Sequence, residues 1–276
     1  MSADRDAVAY SIDDLVRVME RLRDPRFGCP WDLKQDFKSI VPSTLEECYE
    51  LAHAIEQEDY HHVGEELGDV LFQVIFYAQL GREQGMFGFP DIVNTLVEKL
   101  VRRHPHVFAD GEIEGIVEGE IGVDEVNATW EAIKQQERQA REQHGVLADV
   151  PVALPALPRA QKLQKRAASV GFDWRETEAV LEKVEEELGE LREALAASDR
   201  AAIREEMGDL LFTCANLSRH LKLDAETALR ESSSKFEARF QSMEALANAA
   251  GGSLVDLDDS ALDALWEQAK SQPKHL

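Results

Sequence analysis

The chain has 276 residues, 44% of them hydrophobic, and sets 54 acidic against 30 basic side chains for a formal charge of −24. A field of that sign repels nucleic acid and anionic membrane surfaces, although a local basic pocket can still take a phosphorylated small molecule. The charged N-terminus lacks a signal-peptide core, no apolar run approaches the roughly 20 residues that span a bilayer, and Cys29, Cys48 and Cys214 show neither metal spacing nor a secreted framework, so a reducing cytoplasm is the expected compartment.

Helix formers abound and β-rich runs are scarce, which predicts an all-α fold. In chain order, Gly28–Trp31 forms a G-x-x-W string expected to anchor a loop by its tryptophan. A helix follows over TLEECYELAHAI (44–55), with Leu45, Cys48, Leu51, Ala52 and Ile55 as its apolar face. Glu47 lies at the edge of that face and Glu50 a little further round; Glu46 points away. The next helix carries VGEELGDVLF (63–72). Its apolar face is Val63, Leu67, Val70, Leu71 and Val74, with Glu66 and Asp69 at the edge and Glu65 further out. Antiparallel packing through those faces would bring Glu47, Glu50, Glu66 and Asp69 to one spot. Four carboxylates cannot all stay ionised that close together without a cation. All-oxygen ligation suits Mg²⁺ or Mn²⁺ rather than zinc.

The acidic, glycine-rich residues 109–125 read as a loop, and 127–141 as a helix capped by Asn127. Three prolines between 151 and 158 should stop any helix. We therefore expect a domain over 1–145, a proline-rich linker over 146–158 and a second domain over 159–276.

The second domain repeats the first, each half reading as about three helices. With a shift of 140, 12 of the 36 positions in 45–80 are identical in 185–220, where unrelated sequence would give about 2–4 matches. Glu187, Glu190, Glu206 and Asp209 fall on the four first-half carboxylates, and Glu186 on Glu46. Glu193 stands where His53 would be, which argues against a Glu-x-x-His di-iron site. A G-x-x-W recurs at Gly171–Trp174. With a shift of 136, Lys99 and Arg103 fall on Lys235 and Arg239, and Trp130 on Trp266.

These strings, with GCPWDLKQ (28–35), KLVRRHPHVF (99–108), KFEARF (235–240) and LWEQAK (265–270), resemble the MazG family of the all-α nucleoside triphosphate pyrophosphohydrolases over nearly the whole chain. The resemblance implies tandem helical bundles that hydrolyse nucleoside triphosphates to the monophosphate and pyrophosphate. It also implies a Mg²⁺ cofactor, replaceable by Mn²⁺, and a homodimer. Glu186, Glu187, Glu190, Glu206 and Asp209 would form the catalytic set, with water attacking the α-phosphorus. Lys235 and Arg239, with first-half counterparts Lys99 and Arg103, would neutralise pyrophosphate. Trp266 could stack on any base, which suits broad base tolerance. Lys183, four residues before Glu187, adds positive charge at the second site, so the second half is expected to lead. The alternative is a nucleotide-sensing module that binds but hydrolyses weakly.

Overall fold

The computed structural model describes residues 9–117, 119, 122–140 and 145–271, and their regular secondary structure is helical throughout. Two compact units divide between Gln136 and Glu137. The division falls inside a helix, so each half is richer than three helices. The first unit holds α1 (Ile12–Leu22), α2 (Val41–Glu56), α3 (Tyr60–Glu83), α4 (Phe89–Arg103) and most of α5 (Val123–Ala140). The second holds α6 (Ala156–Ala168), α7 (Thr177–Ala197), α8 (Arg200–His220), α9 (Ala225–Ala249) and α10 (Asp259–Ser271).

Local chemistry sets the helix starts. Ser11 and Asp14 form a reciprocal capping box on α1, the Ser11 amide donating to Asp14 at 2.9 Å. The Asp59 carboxylate accepts from the His62 amide at the start of α3, and Asp199 accepts from the amides of Ala201 and Ala202 at the start of α8. Asp59 and Asp199 are repeat partners, so this part of the duplication is a conserved cap. Helix α5 begins at Val123, four residues before the expected cap Asn127. Helix α6 begins at Ala156, inside the proline-rich stretch expected to be helix-free. Pro155 is its N-cap and Pro158 lies in its first turn, where a missing N–H forfeits no intrahelical bond. Just upstream, Val150 is buried and Asp149 pairs with Arg166.

In the first unit α1, α2 and α4 pack on α3. Met19, Ile40, Ile75, Phe76 and Leu80 form its buried core. Buried Arg23 lies with its guanidinium 5.3 Å from the Phe76 ring centre and pairs with Glu83 through two bonds of 2.7 and 2.8 Å. Its remaining nitrogen donates to the carbonyls of Asp32 and Gln35. The loop after Gly28 is thus held by Arg23, and Trp31 is 57% exposed. Gly28 itself is required: a Cβ there would stand 2.4 Å from the Leu22 carbonyl oxygen.

In the second unit α7 and α8 form an antiparallel hairpin against α6, with α9 and α10 paired beyond. Its core is built largely from small side chains, Ala160, Ala215 and Ala225, with Leu157 against them. Gln161 clips the α8–α9 turn to α6 by donating to the Leu223 carbonyl at 3.0 Å and accepting from the Ala225 amide at 3.1 Å. The second G-x-x-W loop is fixed by Asp173, whose carboxylate meets Arg219 at 2.5 Å and His220 at 3.0 Å; Trp174 is 42% exposed.

The expected apolar faces are only partly the ones these hairpins bury. On α2 Ala54 is buried and Glu47, Leu51 and Ala52 are half-buried, while Leu45, Cys48 and Ile55 are exposed; on α3 Glu66, Gln73, Ile75 and Phe76 are buried and Val63 and Val70 half-buried, while Leu67, Leu71 and Val74 are exposed. The same pattern holds in the second unit, where Glu187, Leu191 and Ala194 face inward and Leu188, Leu195, Met207 and Leu211 face outward. A two-helix hairpin buries one stripe per helix, and here that stripe includes Glu66 and Glu187 beside apolar residues such as Phe76 and Leu191.

Candidate active site

Because the carboxylate stripe turns inward, each hairpin gathers its acidic residues. Oxygen atoms of Glu47, Glu66 and Asp69 lie within 4.8 Å of one another in the first unit, as do those of Glu187, Glu190 and Glu206 in the second. Glu50 and Asp209 fall outside these groups of three, although their charges act on Glu47 and Glu206. Burial pushes the Glu47 carboxyl above the ordinary range, and the charges of Asp69, Glu50 and Glu66 push it further. Burial likewise raises Glu206, helped by Glu190, Glu205, Asp209 and Glu187. Each site therefore feels all four carboxylates named from the sequence.

The donors fit a divalent cation. They are all oxygens, which suits a hard ion. In the first unit one carboxylate oxygen of Glu66, Oε2, is buried and has no hydrogen-bond partner. A buried, unpaired carboxylate oxygen among like charges is costly unless a cation meets it.

The two clusters are braced differently. In the second unit Lys183 reaches Glu186 at 2.7 Å and Glu187 at 2.9 Å, and these bonds raise its pKa, Glu186 contributing most. Lys183 thus bridges Glu186 to Glu187, and Glu186 itself lies outside the group of converging oxygens. Ser43 occupies the Lys183 position in the first unit. There, His62 contacts Glu66 Oε1 at 2.8 Å and Gln73 Nε2 donates to Glu47 Oε1 at 3.5 Å. Comparing the halves for shared residues passes over His62, because its counterpart is Ala202; its spacing of four from Glu66 was the available signal.

The expected nucleotide-binding residues lie on α4, α9 and α10. Arg239 holds its guanidinium 5.9 Å from the Trp266 ring centre, and Phe236 lies 5.5 Å from the same ring. Lys235 is exposed one turn before Arg239. Trp266 is therefore already in ring and cation contact, and Phe236 joins a group in which the sequence suggested only Lys235, Arg239 and Trp266. In the first unit Lys99 and Arg103 are half-buried on α4, and it is the His104 ring that lies 6.2 Å from Trp130. Among the described residues no helix is long and apolar enough to cross a membrane.

Paired helices that converge acidic residues, twice in one chain, define a class of helical hairpin proteins whose clusters could hold a metal ion. The comparisons with known proteins narrow that class. The MazG nucleotide pyrophosphohydrolase domain matches residues 35–108 and 175–243, spans that contain both carboxylate hairpins. The chain is 49% identical over 263 residues to a nucleoside triphosphate pyrophosphohydrolase of Escherichia coli strain K12, covering 95% of this chain and 97% of that protein. It is 45% identical over 258 residues to the nucleoside triphosphate pyrophosphohydrolase/pyrophosphatase MazG of Thermotoga maritima, covering 94% and 95%. An uncharacterized Bacillus subtilis protein, YabN, is 42% identical over 92% of this chain and half of its own length. The chain belongs to the MazG family.

Proposed function

We propose that this chain is a nucleoside triphosphate pyrophosphohydrolase that converts (d)NTPs to the monophosphate and pyrophosphate with broad base tolerance. The observation that carries the reading is the pair of convergent carboxylate clusters in a chain so similar to proteins of that name. Glu187, Glu190, Glu206 and Asp209 would hold Mg²⁺, with Mn²⁺ as substitute, and Glu47, Glu50, Glu66 and Asp69 would do so in the first unit. A divalent ion there supplies charge neutralisation of phosphate oxygens and acidification of water. The chain's own groups do the rest. A carboxylate released from full coordination takes the proton of the attacking water. Lys183 exchanges Glu186 for phosphate, Lys235 and Arg239 hold the departing pyrophosphate, and Trp266 offers a ring face to the base.

The second half, 159–276 beyond the 146–158 linker, carries most of the turnover in this reading, because Lys183 already stands at its cluster. The first half, 1–145, serves assembly or regulation. The apolar stripes exposed on α2, α3, α7 and α8 support a homodimer, since contiguous exposed leucines mark an interface. Free cysteines fit a cytoplasmic setting. Incubation with ATP and Mg²⁺, followed by phosphorus NMR, tests the chemistry: AMP and pyrophosphate are expected, and ADP with inorganic phosphate would refute it.

A further inference from the structure

The two clusters differ in what neutralises them, and the difference has a consequence for when each takes up metal. In the second unit an ammonium group sits on Glu186 and Glu187, so an incoming cation must displace a charge already in place. In the first unit the partners are an imidazole on Glu66 and an amide on Glu47, and the carboxylates there meet no lysine at the Ser43 position. The His62 contact occupies Glu66 Oε1 only. Oε2 of the same carboxylate is buried without a partner, and Glu66 shares its 4.8 Å cluster with Glu47 and Asp69. Glu66 is 6% exposed, so bulk solvent does not reach Oε2.

We infer that the first-unit cluster is a resident cation site, with Glu66 set for it by His62, and that it binds a divalent ion more tightly than the second-unit cluster when no nucleotide is present. The inference rests on the metal-binding reading above and extends it by assigning an order of filling and a positioning residue. A ligating carboxylate whose second oxygen is held by a hydrogen bond keeps its orientation, and losing such a bond typically weakens metal binding about 10- to 100-fold. Lys183 does the opposite at the other site, because its ammonium competes with the cation for Glu187.

Mn²⁺ titration of the full chain without nucleotide, followed by the loss of the free-ion EPR signal, tests this. Two affinity classes are expected. Asp69→Asn should remove the tight class and Asp209→Asn should leave it. His62→Ala should weaken the tight class by about 10- to 100-fold, while His62→Gln, which keeps a donor, should recover much of the loss. Lys183→Met should tighten the weak class. His62 is half exposed at the helix surface, so its variants have little fold to disturb. A tight class lost in Asp209→Asn, or one untouched by His62→Ala, would overturn the assignment while leaving metal dependence intact. Absence of Mn²⁺ binding in either class would instead defeat the metal reading itself.

Discussion

Glu206 is the residue at which burial, like charge and repetition meet. Its carboxyl and that of Glu47 are raised by burial first and by neighbouring carboxylates second. A raised acid favours its protonated form, so the metal-free fold keeps this contribution at low pH and loses it as pH rises through the raised values. A cation reverses the cost. The thermal shift given by Mg²⁺ should therefore grow from pH 5 to pH 8, and Mg²⁺ affinity should fall as acid competes; calorimetry that finds affinity flat over that range would contradict the cluster. Glu187→Gln, Glu190→Gln, Glu206→Gln and Asp209→Asn should each reduce kcat by about 100-fold or more, the scale for losing one preorganised electrostatic contact. Glu205→Gln, on an exposed side chain, should stay within a few-fold. The convergence of Glu47 with Glu66 and Asp69, and of Glu187 and Glu190 with Glu206, was legible in the sequence, because carboxylates three apart share a helix face whatever surrounds them. His62 was not, because a unique residue leaves no trace in a repeat.

At the scale of elements, α3 carries both the first core and the first site. Phe76 is fully buried beneath Arg23, and Phe76→Ala should lower stability by about 3–5 kcal/mol. Gly81, five residues on, leaves no room for a side chain: an added Cβ would lie 2.6 Å from both the Phe87 ring and its carbonyl oxygen. Gly81→Ala should cost about 1–3 kcal/mol, read as a lower urea midpoint, and an unchanged midpoint would mean that the α3–α4 turn yields freely. The helices themselves follow from periodicity and from caps such as Asp59 and Asp199. Two starts did not follow. Helix α6 opens across prolines because a first turn needs no N–H donors there, and α5 opens at Val123 ahead of the polar residue that looked like its cap.

For the whole molecule, the exposed leucines are where the proposed dimer can be tested. The mass of one chain is 31.0 kDa. Light scattering at micromolar concentration should give twice that, and Leu67→Glu with Leu211→Glu should shift the protein toward the single-chain mass; a monomer for the unaltered chain would end the dimer proposal. Activity should divide unequally between the halves. Asp69→Asn is expected to keep most ATP turnover and Asp209→Asn to lose nearly all of it. The reverse pattern would assign catalysis to the first unit.

The sequence alone determined the all-helical class, the duplication and the eight carboxylates, since composition, period and identity between repeats are properties of the chain read locally. A helical wheel fixes the angles between residues but not which stripe a neighbour will cover. The tertiary structure made that choice. It turned Glu66 and Glu187 inward beside residues such as Phe76, Leu191 and Ala194, and left Leu67, Leu71, Leu188, Leu195 and Leu211 outside. It also brought Arg23 and Asp173 to hold the loops, because a charge taken from water must find its partners at long range and no local spacing announces them.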